Sequence, residues 1–213
     1  MVARSRKRAT ADPVDTPDPA DPDPVGTPVA AGMVGAAADP EAAAREICLR
    51  LLTLEPRTRA QLADALRRRG VPEQAAEAVL DRFTEVGLID DPVFARAWVE
   101  SRHYSRGLSR RMLAAELRRR GVADDDVRDA VETLEPEQEA ATARRLVEAK
   151  VAATRGQPPA ARIRRLMGML ARKGYSAGLA YRVVREALEQ EGAELAGAVP
   201  EPDLDIGLDD SAW

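Results

Sequence analysis

The chain has 213 residues, 45% of them apolar and only 3% aromatic, so it can bury a core, but one made of Leu, Val, Ile and Ala. Its net charge of −4 hides a partition: residues 41–188 carry 28 basic side chains, 26 of them Arg, against 22 acidic ones, while residues 189–213 carry eight acids and no Lys or Arg. A basic body of this kind suits a polyanion or an acidic protein groove, whereas the absence of any run of about 18 apolar residues argues against a membrane span.

From the start of the chain, MVARSRKR is basic, but no apolar stretch follows it, so a secretory leader is not expected. Residues 1–38 are rich in Pro, Asp and Ala without periodicity and read as a disordered arm. Helix formers then dominate, with Pro confined to boundaries. The sequence divides into three three-helix repeats, at 39–88, 89–135 and 136–190, followed by an acidic tail at 191–213 that also reads as disordered. First helices are signalled at Asp39-Pro40, Asp91-Pro92 and Glu135-Pro136, where an acid can cap and Pro fits the first turn. Thr58 and Gln61 have the spacing of a capping box at the second helix of unit one.

The repeat rests on three glycines. LRRRGV occurs at 66–71 and again, letter for letter, at 117–122, and LARKGY echoes it at 170–175. Counting back four residues from Gly70, Gly121 and Gly174 gives Leu66, Leu117 and Leu170; counting back eight gives Leu62, Leu113 and Leu166. Such pairs share one helical face and are expected in the core. The glycine is expected to end each middle helix in the left-handed conformation. Val79 and Leu80, Ala130 and Val131, and Val183 and Val184 then mark the core face of each third helix. The fold expected is all-α. Short helices of this kind are marginal alone, so they are expected to pack within and between units into an elongated, curved body.

Residues 86–122, VGLIDDPVFARAWVESRHYSRGLSRRMLAAELRRRGV, resemble the signature of the RecX family. The matching positions are Gly87-Leu88-Ile89-Asp90-Asp91, Phe94-Ala95, Trp98-Val99-Glu100 with Arg102, Gly107, and Glu116-Leu117 through Gly121-Val122. The threefold pattern extends the resemblance over about 40–190 and leaves both ends outside it. The resemblance implies a regulator of the RecA recombinase that binds the RecA–DNA filament in its groove and restrains ATP hydrolysis, strand exchange and co-protease activity. It implies no cofactor. The expected partner is therefore the RecA filament, with single- or double-stranded DNA phosphate as a further contact, no membrane, and the chain acting as a monomer. The third unit departs from the first two, with Arg172-Lys173-Gly174-Tyr175 in place of Arg-Arg-Arg-Gly-Val.

Candidate partner-binding residues are the cations at the ends of the middle helices: Arg67, Arg68 and Arg69; Arg118, Arg119 and Arg120; Arg172 and Lys173. Two readings stand for them. Cations in a last turn complement the helix dipole, each contributing about 0.3–1 kcal/mol. Clusters recurring at one register on successive units also offer a row of positive patches. Arg102, Arg106, Arg110 and Arg111 join the list, since Arg102 and Arg106 repel at i, i+4 unless an acid or external anion is near. RIRRLMGMLARK adds Arg162, Arg164 and Arg165 as further positive charge in unit three. The alternative function is a direct DNA-binding module of helix-turn-helix-like units; a plain helical scaffold is the third.

An enzyme is not expected. The single His103 has no Cys or His cluster around it and reads as a surface or helix-end residue rather than a metal ligand. Asp91 reads as a helix cap and Asp90 as a turn former. Phe94 and Trp98 read as staples to the core of unit two. Cys48 cannot form an internal disulfide, reads as core, and points to a reducing cytoplasm. The opposite charges of body and tail raise a further expectation, that the acidic tail folds back on the basic body.

Overall fold

The structure, a computed structural model, describes residues 39–192. The candidate arm at 1–38 and most of the acidic tail, 193–213, lie outside the described residues. Among those residues all regular structure is helical. Unit one contains α1 (Pro40–Leu54), α2 (Arg59–Arg68) and α3 (Glu73–Glu85); unit two contains α4 (Asp91–Arg106), α5 (Arg110–Arg119) and α6 (Asp124–Glu132). Unit three contains α7 (Pro136–Val151), a 3-10 turn at Ala152–Thr154, α8 (Pro159–Arg172) and α9 (Ala177–Gln190).

The helix starts follow local chemistry. Asp39 accepts from the Glu41 amide ahead of Pro40, and Thr58 and Gln61 form the reciprocal capping box. Glu135 and Gln138 form another. One expectation is corrected: Asp90, not Asp91, caps α4, its carboxylate accepting from the Val93 amide at 2.8 Å. Asp91 is the first helical residue and is used elsewhere.

Each unit closes its own core. In unit one Cys48, Leu62, Leu66, Val79, Leu80 and Phe83 are buried together, with Ile89 completing the cluster from just past the expected boundary. Unit two buries Ala95, Val99, Leu113, Leu117, Val127 and Val131, with Phe94 and Trp98 packed against them as expected. Unit three buries Val147, Leu166, Leu170, Val183, Val184 and Leu188. The leucine pairs of the middle helices are thus core, at about 1.5–3 kcal/mol for each fully buried leucine. The apolar clusters do not merge, so what joins the units is mainly polar.

The repeated hexapeptide is a helix stop. In each unit the residue after the glycine donates its amide to the leucine carbonyl: Val71 to Leu66, Val122 to Leu117, Tyr175 to Leu170, each at 3.2 Å. The glycine amide donates to the residue three before it, at 2.9–3.0 Å, with φ of 73°, 77° and 87°. This is the Schellman arrangement, which needs a left-handed glycine and an apolar residue after it to cover the leucine. Val71, Val122 and Tyr175 supply that cover.

The stop also makes the junctions between units. The buried N-cap Thr58 of α2 donates its hydroxyl to the Arg120 carbonyl at the end of α5, at 2.6 Å. The Arg59 amide donates to the Asp91 carboxylate at 2.9 Å. One unit on, the buried N-cap Ser109 of α5 donates its backbone amide to the Lys173 carbonyl at the end of α8, at 3.0 Å. The Arg110 amide donates to Glu139 at 2.9 Å. The middle helices of units one and two therefore each meet, with their N-termini, the C-terminus of the next unit's middle helix.

Candidate functional site

The junctions sort the arginine clusters by register. Immediately before the glycine stand Arg69, Arg120 and Lys173, the C-cap residues. The carbonyls of Arg120 and Lys173 are consumed at the junctions, and their side chains are half-buried. The Arg120 guanidinium lies 3.8 Å from the centre of the Trp98 ring, and Lys173 Nζ donates to the Arg106 carbonyl at 2.6 Å. Arg69 turns back on its own helix and donates to the Ala65 carbonyl.

Three before the glycine, the cations are neutralised locally. Arg67 pairs with Asp64, and Arg118 with Asp124 at 2.8 Å; the third unit has Ala171 there. These are exposed pairs, each contributing only about 0.2–1 kcal/mol.

Two before the glycine stand Arg68, Arg119 and Arg172, exposed in all three units. Among the described residues none of them pairs with a carboxylate. Arg119 Nε reaches only the Ala115 carbonyl of its own helix. Of the eight helix-end cations, these three are the ones present in every unit, exposed, and without an acid.

The α4–α5 cluster divides in the same way. Arg102 sits with its guanidinium 4.2 Å from the centre of the Trp98 ring, so two arginines share one indole. Glu116 accepts from Trp98 Nε1 at 2.9 Å, and Phe94 stacks on Trp98 at 5.7 Å. Cation–π attraction of about 0.5–1 kcal/mol per pair offsets the repulsion expected at i, i+4 without any external anion. Arg106 and Arg110 are half-buried; Arg110 Nε donates to the Val131 carbonyl at 3.2 Å. Arg111 is exposed and, among the described residues, carries no carboxylate partner.

Comparison with known proteins agrees with this architecture. Models of the first, second and third three-helix domains of RecX match residues 44–83, 90–131 and 137–184. The chain belongs to the RecX family. The regulatory protein RecX of Thermobifida fusca is 66% identical over 173 residues, covering 80% of this chain and 94% of that protein. The regulatory protein RecX of Mycolicibacterium smegmatis is 43% identical over 197 residues, covering 89% and 97%. The crystal structure of RecX from Lactobacillus salivarius shares the fold with a TM-score of 0.65 at 18% identity, over 70% of this chain and 97% of that one. The relatives are regulatory proteins by name, and the described residues of this RecX family member hold no group of three His, Cys, Asp or Glu placed to bind a metal. Among the same residues, no helix is long and apolar enough to cross a membrane.

Within this chain the structure also gives partners to residues that the sequence read without them. His103 ends α4 as expected, but its ring bridges two units: Nδ1 lies 2.9 Å from the Leu108 carbonyl and Nε2 2.9 Å from the Thr142 hydroxyl. The Nδ1–H tautomer satisfies both contacts, with Thr142 donating to Nε2. Arg162, expected to add to the positive surface, is 8% exposed and is corrected to a buried strut. It donates to Thr154 Oγ1 at 2.9 Å and to Glu191 at 2.5 Å. Arg155 also donates to Glu191, and the two guanidiniums hold that carboxyl below its ordinary value.

Burial raises the Asp91 pKa, partly offset by the Arg59 amide, which is what a carboxylate enclosed in a junction should show. Burial also raises the Cys48 thiol, against the smaller opposing effect of Arg69. One sequence signal foreshadowed the junctions. Thr58 and Ser109 both lie twelve residues before their glycines, in the two units that have a successor, while Arg162 fills that slot in the third.

Proposed function

We propose that this chain is a non-enzymatic, cytoplasmic regulator that binds the RecA–DNA filament in its groove through a basic surface. There it restrains ATP hydrolysis, strand exchange and co-protease activity in recombinational repair and the SOS response. The family supports the regulatory reading, because its named relatives are regulatory proteins. The observation that carries the mode of binding is Arg68, Arg119 and Arg172: one exposed cation, without a carboxylate partner, at the same register of three successive units. A guanidinium without a local acid keeps its donors for a carboxylate or phosphate. Arg111 adds a fourth such group in unit two. Arg67 and Arg118 contribute after exchanging their acids. Arg69, Arg102, Arg106, Arg110, Arg120 and Lys173 act chiefly by holding the surface in shape.

The test is RecA ATPase on single-stranded DNA, titrated with the protein at two salt concentrations. Wild-type protein inhibits, and the triple charge reversal Arg68→Glu, Arg119→Glu, Arg172→Glu weakens inhibition about tenfold or more, with an unchanged helical circular dichroism spectrum. Inhibition unaffected by the triple reversal removes this surface from the mechanism. No inhibition by the wild type, with tight and steeply salt-dependent binding to bare duplex, replaces the filament regulator with a direct DNA-binding module.

A further inference from the structure

The exposed arginines have a candidate occupant within the chain itself. Residues 193–213 contain six carboxylates, Glu194, Glu201, Asp203, Asp205, Asp209 and Asp210, and no Lys or Arg. Building on the basic surface read above, we propose that this acidic segment docks on Arg68, Arg119 and Arg172 and competes there with the polyanionic partner.

Where the segment departs is fixed. Glu191, the C-cap of α9, is gripped by Arg155 at 2.8 Å and by Arg162 at 2.5 Å. Arg162 stands near the start of α8, so the chain leaves α9 beside the N-terminal end of α8. Arg172 closes the other end of that helix, about 20 Å away at 1.5 Å per residue. Twenty-one residues reach at most about 70 Å, so distance does not forbid contact with Arg172 and with cations beyond it.

The energetics favour a weak, displaceable contact. Each exposed pair contributes about 0.2–1 kcal/mol, too little for a free peptide to bind firmly. Tethering changes this, because covalent attachment to the end of α9 holds the carboxylates at an effective concentration of about millimolar. The arginine surface is then partly covered at rest, and a filament or strand with denser negative charge displaces the segment. Salt weakens both contacts, since the screening length falls to about 3 Å at 1 M.

The experiment uses the full chain with the six acids neutralised: Glu194→Gln, Glu201→Gln, Asp203→Asn, Asp205→Asn, Asp209→Asn and Asp210→Asn. Arginine Nε–H resonances are recorded for wild type and variant in low salt, with Arg128, which is paired to Asp125, as an internal control. Docking predicts that the Arg68, Arg119 and Arg172 signals move on neutralisation while the Arg128 signal stays. Competition predicts that the variant inhibits RecA ATPase at about three- to tenfold lower concentration in low salt, an advantage that vanishes near 1 M. Coincident arginine signals in the two proteins overturn the proposal, as does, where the wild type inhibits, a variant that inhibits equally or less well. Moved signals with no RecA inhibition by either protein sink the regulator reading and leave the intramolecular contact standing, so the two failures are distinct.

Discussion

The two junctions between units share a plan but differ in which side chains serve them. At the first, Thr58 donates to the Arg120 carbonyl, the Arg59 amide donates to Asp91, and Ala60 packs close against Gly121. At the second, Ser109 and Arg110 repeat those roles, and three further links are added. Lys173 reaches the Arg106 carbonyl, the Tyr175 hydroxyl donates to the Gly107 carbonyl at 3.0 Å, and His103 meets Thr142. The departure of the third unit from the repeated string is thereby explained: Lys173 and Tyr175 replace Arg and Val where side chains must cross to unit two. Units two and three are thus joined by side chains of Lys173, Tyr175 and His103 as well as by the shared cap contacts.

The largest expected effect separates the three glycines. A Cβ at Gly174 would stand 2.5 Å from Ser109 Oγ and 2.8 Å from Met112 Cβ, and one at Gly121 would collide with Ala60. At Gly70 no such neighbour lies within 4 Å. Gly174→Ala and Gly121→Ala should each cost about 2–4 kcal/mol in urea unfolding, from left-handed strain plus overpacking. Gly70→Ala should cost about 1–2 kcal/mol, from strain alone. Equal losses at all three would mean that the junctions do not close as tightly as described.

Next comes Tyr175→Phe, expected to lower stability by about 1–2 kcal/mol through the unpaired Gly107 carbonyl. Burial raises the Tyr175 pKa well above the usual 10, with Glu139 adding to the effect. Its folded value exceeds the unfolded one, so its contribution is full below about pH 10 and is lost as pH rises beyond that. Thermal melts from pH 8 to 11 should show an alkaline decline in wild type that is reduced in Tyr175→Phe.

A smaller contrast tests the two caps. Thr58→Val removes both a cap and a cross-unit bond, at about 1–2 kcal/mol, while Ser109→Ala removes the cap hydroxyl and leaves the backbone-made junction bond, at about 1 kcal/mol. Chemical denaturation of the two variants side by side checks the order. The smallest effect is at Arg118→Ala, which loses an exposed ion pair and should shift stability by no more than about 1 kcal/mol. Arg120→Ala should cost more, because it strips a cation from Trp98; a reversed order would mean that the register assignment is mistaken.

Much of the fold was legible because its signals are short-range. The leucines four and eight residues before each glycine, the Thr58–Gln61 box and the left-handed glycines all act within one or two helical turns. The site was legible only as a list of cations. Arg102 and Arg120 could not be separated from Arg119 by type, since what distinguishes them is a shared indole. Arg162 read as surface charge because its partners, Thr154 and Glu191, lie 8 and 29 residues away. His103 looked solitary because Thr142 is 39 positions on.

The amino-acid sequence alone determined three helical units, their core faces and the form of each helix stop, since hydrogen bonds and packing between near neighbours suffice for these. Only the tertiary structure decided which cations remain available to a partner. A guanidinium is free or engaged according to groups that a distant segment brings beside it. In this chain that segment is often the neighbouring unit, whose cap hydroxyl or amide fixes the last turns of α5 and α8, while the last helical residue of each middle helix, Arg68, Arg119 or Arg172, faces solvent.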